Sequence, residues 1–427
     1  MTNPAWPMRP LGELFDIGAG KSMSAAGRAG EQKTPFLRTS NVLWDEIDLS
    51  TVDEMAIPQR DLSEKLVAPG DLLVCEGGDI GRAAIWNGEV ATMSFQNHLH
   101  RLRPKEPDVF PRFYVYFLQS GFTQLGIYEG AGNDTTIPNL SRNRLAALDV
   151  PKPDFDEQRD IATALARVRH ANKLHDRSLE LAQDLKRAVM QALFTKGLHD
   201  ETPKDTEIGP VPESWDVQPL GKHYSAVSGG TPSRTNPKFW QGGTIPWVKT
   251  TEVNYGMITS TEEHITEAGL QGSAAKWLAA GTLLIAMYGQ GVTRGRVAIL
   301  GIDATCNQAC AALRPLDVRL KPMFLFYFLT WRYNDIRQLA HGGQQQNLNL
   351  DIVRDLPIAF PPTIDEQNDI ITVLDAIDRK IDLHKRKRAV LDELFKSLLH
   401  KLMTGEIRVT DLDLSALETA EPAGEAA

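Results

Sequence analysis

At 427 residues the chain is too long for one ordinary core, so two or three domains are expected. Its 42% apolar and 24% charged residues are those of a globular protein, and its longest apolar run, Met323–Trp331, is far short of the roughly 20 residues a membrane helix needs. The first residues, "MTNPAWPMRP", lack the basic and apolar segments of a secretory signal, and three cysteines (Cys75, Cys306, Cys310) make no disulfide framework, so a reducing cytoplasm and no membrane are expected.

The net charge of −9 looks unsuited to a polyanion ligand, but it is local. Residues 198–214 hold one basic and five acidic side chains, residues 405–427 hold one and six, and the remainder balances to zero. Local loops, not the total, decide what such a chain binds.

In chain order, residues 1–150 read as a globular unit, opened by "WPMRPLGELF" from Trp6. Residues 151–197 follow as a long helix that begins "DEQRDI" at Asp156 after a proline-rich entry, with the acidic first turn that a helix dipole favours. A polar, proline-rich return occupies 198–214. Then "WDVQPLGKHY" from Trp215 restarts the first pattern 209 positions on, and the match continues across residues 215–362. "TPFLRTSNV" from Thr34 faces "TIPWVKTTEV" from Thr244, "GRAAI" from Gly81 faces "GRVAI" from Gly295, and "FYVYFL" from Phe113 faces "FLFYFL" from Phe324. Residues 363–404 form the second helix, with "DEQNDI" at Asp365, and 405–427 an acidic tail. The chain is a tandem duplication of one globular part plus one helix, a repeat too long for a solenoid.

On the second helix Ile370, Leu374, Ile377, Ile381, His384, Arg388, Leu391, Phe395, Leu398 and Leu402 are spaced alternately four and three. Subtracting 209 gives Ile161, Leu165, Val168, Asn172, His175, Leu179, Ala182, Lys186, Val189 and Leu193. Such a 3.5-residue stripe on both helices predicts a coiled-coil seam, and a twofold relation between the repeats requires it to be antiparallel. Gly197 and Gly405 are the expected stops. Each rod helix would span about 50 Å at 1.5 Å per residue. His175 and His384 interrupt the seam at equivalent places and read as a polar pair fixing register rather than a metal site. The fold class expected is α+β: two tandem-duplicated domains joined by two long helices in an antiparallel coiled coil, with pseudo-twofold symmetry.

Catalytic motifs are missing. "GAGKS" at Gly18 lacks the earlier glycine of a phosphate loop, and "CNQAC" at Cys306 has no companion Cys/His pair for zinc. No His–Glu–x–x–His, GxSxG or dinucleotide fingerprint is found, nor a tetrapeptide that would hold a flipped adenine. The chain reads as a non-catalytic binder with no metal site. Its candidate DNA-binding residues lie in three matched pairs of Gly/Ser/Thr- and amide-rich loops. Lys21, Ser22, Arg28 and Lys33 in the first unit face Ser233, Arg234, Lys238 and, just beyond them, Lys249 in the second. Arg82 faces Gln290, Arg294 and Arg296, while Asn133 and Thr135 face Gln344, Gln345 and Gln346. Glycine permits close approach to phosphates, amides can read adenine edges, and arginine can read guanine. "SFQNH" at Ser94 and "TCNQA" at Thr305 keep their amides in both units and read as framework. The alternative is a two-headed adaptor with no DNA preference.

Twin units, each followed by a helix carrying "DEQxDI", resemble the specificity subunit of type I restriction–modification systems over residues 6–408. "VPESWDVQPLGKHYSAVSGGTPSRTNPKFW" and the closing "LLHKLMTGEIRV" carry the likeness further. In the first unit "IGAGKSMSAAG" replaces the Ser-Gly-Gly-Thr-Pro pattern of Ser228–Pro232. The resemblance implies two target-recognition domains reading a bipartite, asymmetric target in double-stranded DNA. It implies two methyltransferase subunits docked on the rod and two ATP-dependent motor–endonuclease subunits in the full complex. S-adenosylmethionine, ATP and Mg2+ would belong to those partners, with none bound by this chain, in a bacterial or archaeal cytoplasm.

Overall fold

The computed structural model describes residues 6–127, 139–289, 292–339, 347–413 and 415. They form two compact units. One combines Met1–Arg177 with Lys385–Ala427 and the other is Ser178–His384. Each unit therefore takes one globular part, the first half of the helix that follows it, and the second half of the other helix.

The globular parts are built alike. In the first unit a four-stranded antiparallel sheet runs Phe15–Ala19, Leu99–Pro104, Leu72–Cys75, Ala83–Ile85. In the second, the order is Tyr224–Ser228, Cys310–Pro315, Leu283–Ala286, Val297–Leu300, with Met257–Ile258 added at the edge in parallel. Each unit adds a three-stranded sheet whose central strand (Lys33–Leu37 or Ile245–Val248) has one antiparallel and one parallel neighbour. The entry and exit strands also pair, Met8–Pro10 with Asp149–Pro151 and Asp216–Pro219 with Pro357–Phe360.

A helix that is apolar all round is buried on all sides. Helix α1 (Pro111–Thr123) buries Phe113, Tyr114, Val115, Tyr116, Phe117 and Leu118 in the first core. The apolar run that is too short for a membrane belongs to the second such helix, Pro322–Trp331. Helix α2 (Phe155–Lys196) crosses from one unit to the other in sequence, as α4 (Ile364–Met403) does in reverse. Between them, α3 (Pro322–Trp331) packs its phenylalanines against Phe194 and Trp215. Among the described residues no helix is long and apolar enough to cross a membrane.

The seam is antiparallel within each unit. In the first, Asn172 donates to Asp392 and Asp176 accepts from Arg388 at 2.8 Å, so the partner number falls as the helix number rises. Arg169 over the Phe395 ring, at 5.6 Å, keeps the same register. In the second, Lys186 binds Asp378 at 2.6 Å in that register. Ile161, Leu165 and Val168 are buried with Leu398 and Leu402 in one core, and Leu193 with Ile370 and Leu374 in the other. Lys186 and Arg388, two polar positions of the seam, are thus matched by carboxylates on the facing helix, and Asn172 by a hydrogen bond. Both stop glycines adopt φ of +70°, the left-handed conformation that ends a helix without the cost of a Cβ.

The polar, proline-rich return carries structure of its own: Pro203–Thr206 and Gly209–Pro212 pair as a hairpin, and its Ile208 and Val211 belong to the second core. Glu201 closes it by accepting from the Ser214 amide at 2.9 Å. A composition rich in Asp, Glu and Pro hides two apolar side chains at the turn and the return strand.

Candidate nucleic-acid interface

The repeated hexamer begins each rod helix and ties it to its own globular part. Asp154 accepts from the Glu157 amide at 2.8 Å and Thr363 from the Glu366 amide at 3.3 Å, as N-caps do. Glu157 accepts from the Trp6 indole at 3.1 Å, and Glu366 from the Trp215 indole at 3.1 Å. Gln158 and Gln367 are fully buried. The Gln158 carboxamide accepts from the Phe110 amide at 2.9 Å and donates to the Asp108 and Pro153 carbonyls. Gln367 accepts from the Lys321 amide at 2.9 Å and donates to the Arg319 carbonyl at 2.7 Å. Phe110 and Lys321 are the N-cap residues of α1 and α3. One amide thus satisfies backbone groups that no helix bond reaches, and orients the core helix against the rod.

The candidate loops start from a second repeated device. A Cβ on Gly20 would collide with the Phe95 and Gln96 carbonyls, and one on Gly229 with the equivalent Cys306 and Asn307 carbonyls. Only glycine lets the chain leave the sheet so close to the neighbouring strand. Asn307 supports that place by exchanging hydrogen bonds with the Thr250 hydroxyl, in keeping with a framework role.

A third device sits on the three-stranded sheet. Arg38 donates to Asp53 at 2.7 Å in the first unit. At the matching place Lys249 binds Glu262 and lies 3.6 Å from Glu263. Its Glu262 partner raises the Lys249 ammonium above the usual lysine value, and the Arg234 guanidinium holds the Glu263 carboxyl below the usual one.

The sequence-derived candidates fall into three groups. Ser22, Arg28, Lys33 and Lys238 are exposed. Several others are engaged by the protein itself. Lys21 binds Asp61 at 2.5 Å, lowering that carboxyl's pKa. Ser233 shares a hydrogen bond with Thr235 at 3.0 Å, and Arg234 lies over Trp240 and Trp247 while donating to Glu263. Arg296 donates to Asn254 at 2.7 Å and faces the Tyr255 ring. Arg82 donates to the Thr39 carbonyl at 2.9 Å and binds Asp79, which makes it a clamp between its own loop and the turn at Thr39. Arg294 is buried. Asn133, Thr135, Gln290, Gln344, Gln345 and Gln346 lie outside the described residues.

Residues the loop reading passed over are Trp6, Gln158, Arg38 and Asp53 with their counterparts. Their signal was present, since each recurs in kind at the repeat offset, but recurrence does not reveal the partner. Among the described residues no cluster of three His, Cys, Asp or Glu side chains could hold a metal ion, and the three cysteines are free and buried.

Comparison with known proteins agrees with this duplicated construction. The type I restriction modification DNA specificity domain matches residues 3–182 and again 212–393. A Methanocaldococcus jannaschii chain assigned as the MjaX type I restriction enzyme specificity subunit is 24% identical over 412 residues, covering 95% of this chain and 94% of that one. The EcoR124I/EcoR124II specificity subunit of Escherichia coli is 27% identical over 271 residues, 62% of this chain and 63% of that one. The crystal structure of the type I restriction–modification S subunit from M. genitalium shares the fold at a TM-score of 0.61 and 16% identity, covering 94% of this chain and 97% of that one.

Proposed function

Because the chain belongs to the type I restriction–modification DNA specificity family, we propose that each of its two units reads one half of a bipartite, asymmetric DNA target. The observation that carries this reading is the contrast within the duplication. The Trp–Glu latch, the glutamine bond to the N-cap amide of the core helix and the glycine approach recur in both units. The loops they support differ in length and residue type. Equal scaffolds with unequal rims suit two different half-sites, with phosphate contacts positioning each unit and base-edge contacts specifying it.

The chain itself is read as non-catalytic. Methylation of adenine would come from two methyltransferase subunits holding S-adenosylmethionine, and cleavage from two motor–endonuclease subunits using ATP and Mg2+. The rod supports the docking part of this reading. Leu174, Leu181 and Leu185 on α2 are repeated 209 positions on as Leu383, Val390 and Leu394 on α4, and all six are between 37% and 67% exposed. Apolar side chains left uncovered at helical spacing, twice over, fit two copies of one helical partner.

Modified-base sequencing of host DNA with and without this gene tests the reading. Methyladenine in a bipartite motif on both strands, lost on deletion, is expected. Exchanging residues 1–150 for those of a relative should then change one half-site alone. A motif that survives deletion, or an exchange that alters both halves together, would overturn it.

A further inference from the structure

We propose that a cleft on the first unit's three-stranded sheet is a phosphate-binding site, whose counterpart in the second unit is filled by the protein's own side chains. The inference rests on the reading of the chain as a DNA specificity subunit, and it assigns one site within it. The short helix Ala25–Ala29 crosses the sheet at Gly27, where a Cβ would come within 2.8 Å of Met55. Beside that crossing opens a cleft of about 360 Å³. Phe36 and Met55 lie at its base, Arg28, Lys33 and Arg38 supply cations, and Asp53 and Glu54 supply carboxylates.

Arg38 is committed to Asp53. Arg28 and Lys33 are both exposed, and neither makes an ion pair among the described residues. Three cations against two carboxylates leave the cleft with an excess positive charge, carried on two long side chains that can move. Non-bridging phosphate oxygens accept charge-assisted hydrogen bonds from such a pair.

The second unit shows what a closed version looks like. Trp247 stands where Phe36 does, Lys249 where Arg38 does, and Glu263 where Asp53 does, by strand register. Trp240 packs edge-on against Trp247 with 5.1 Å between ring centroids. The Arg234 guanidinium lies 3.8 Å from the Trp240 centroid and 4.8 Å from that of Trp247. Arg234 and Lys249 are neutralised by Glu262 and Glu263, two cations against two carboxylates. An indole fills the space, and the chain supplies its own oxyanions. The first unit has the cations without the filler.

The phosphate oxygens could come from the DNA backbone or from free phosphate, and the test separates them. The chain, reconstituted with its methyltransferase subunits, is titrated with a duplex carrying its motif and with a scrambled duplex from 50 to 300 mM KCl, as wild type and with Arg28→Ala/Lys33→Ala. Each phosphate contact contributes about 0.9 to the slope of log affinity against log salt. A slope shallower by about two contacts in the double variant, with motif preference retained, is expected, and Arg28→Lys/Lys33→Arg should restore it. Isothermal titration of the full chain with inorganic phosphate is the second arm. Heat lost in the double variant with an unchanged DNA slope would assign the site to free phosphate. If neither DNA slope nor phosphate heat responds while motif preference persists, the site is refuted and the specificity reading stands. A wild-type complex that binds both duplexes alike would refute that reading instead, and a slope drop in it would still support the site.

Discussion

In the first unit Arg38 closes on Asp53 and leaves Arg28 and Lys33 at an open rim. In the second, Lys249 closes on Glu262 and Glu263 while Arg234 and Trp240 occupy the neighbouring space. A few strands away the two units are interchangeable, down to a 3.1 Å indole–carboxylate bond in each. The difference teaches where divergence is cheap. A residue that satisfies buried backbone groups cannot change without leaving a donor or acceptor unpaired, whereas a rim residue exchanges one set of water contacts for another.

The comparison breaks most severely at the glycines. Gly20→Ala and Gly229→Ala each push a methyl group into two backbone carbonyls, which no side-chain movement relieves. Each should cost about 3 kcal/mol or more, by analogy with overpacked cores, and urea unfolding should show both variants losing a comparable amount. A neutral result at either site would mean that the two approaches are not equivalent.

The glutamines sharpen it. Gln158→Ala removes three hydrogen bonds and Gln367→Ala two, all to backbone groups. At about 1 kcal/mol for each bond plus the penalty of orphaned groups, both should destabilise by about 2–4 kcal/mol, Gln158→Ala by the larger amount. The reverse order in urea midpoints would show that the latch is not additive in its bonds.

The smallest effect separates the units by pH. His100 is buried, its Nε2 on the Leu140 carbonyl at 2.8 Å and its Nδ1 without a hydrogen-bond partner among the described residues. Burial holds this imidazole below the ordinary value of 6.5, against the pull of Glu76 and with the push of Arg142. The unfolded chain therefore takes up a proton near 6.5 that the folded chain refuses. Stability is complete above that pH and is lost as pH falls from 6.5 towards the folded value, at no more than about 1.4 kcal/mol per pH unit for one proton. The equivalent position in the second unit is Ala311, which cannot titrate. Thermal melts between pH 7.5 and 5 should show the loss in the wild type, and His100→Gln should flatten it. An unchanged profile would remove His100 as its source.

Much of the fold was legible because duplication prints the framework twice. Trp6 and Trp215, Gln158 and Gln367, and the 3.5-residue stripe stand out by recurring in kind at a nearly constant offset. Chain identity marks them as structural before any partner is known. The loops were legible only as loops. Arg82 and Arg234 look alike in sequence, each a cation among small polar residues. One donates to the distant Thr39 carbonyl, while the other lies across two indoles and donates to Glu263. The neighbouring residues do not reveal those hydrogen bonds, because Thr39 lies 43 residues from Arg82 and Glu263 lies 29 from Arg234.

The amino-acid order by itself determined the duplication, the two rod helices and their stops. Each of these depends on spacing along the chain, which periodicity and backbone geometry convert directly into structure. Only the tertiary structure decided the rest: that a return segment contributes Ile208 and Val211 to a core, that Arg294 is buried, and that one cleft is open where its twin is filled. Those outcomes depend on which surfaces meet across long separations. Burial and charge pairing are properties of neighbours in space, and the chain does not record its spatial neighbours in its order.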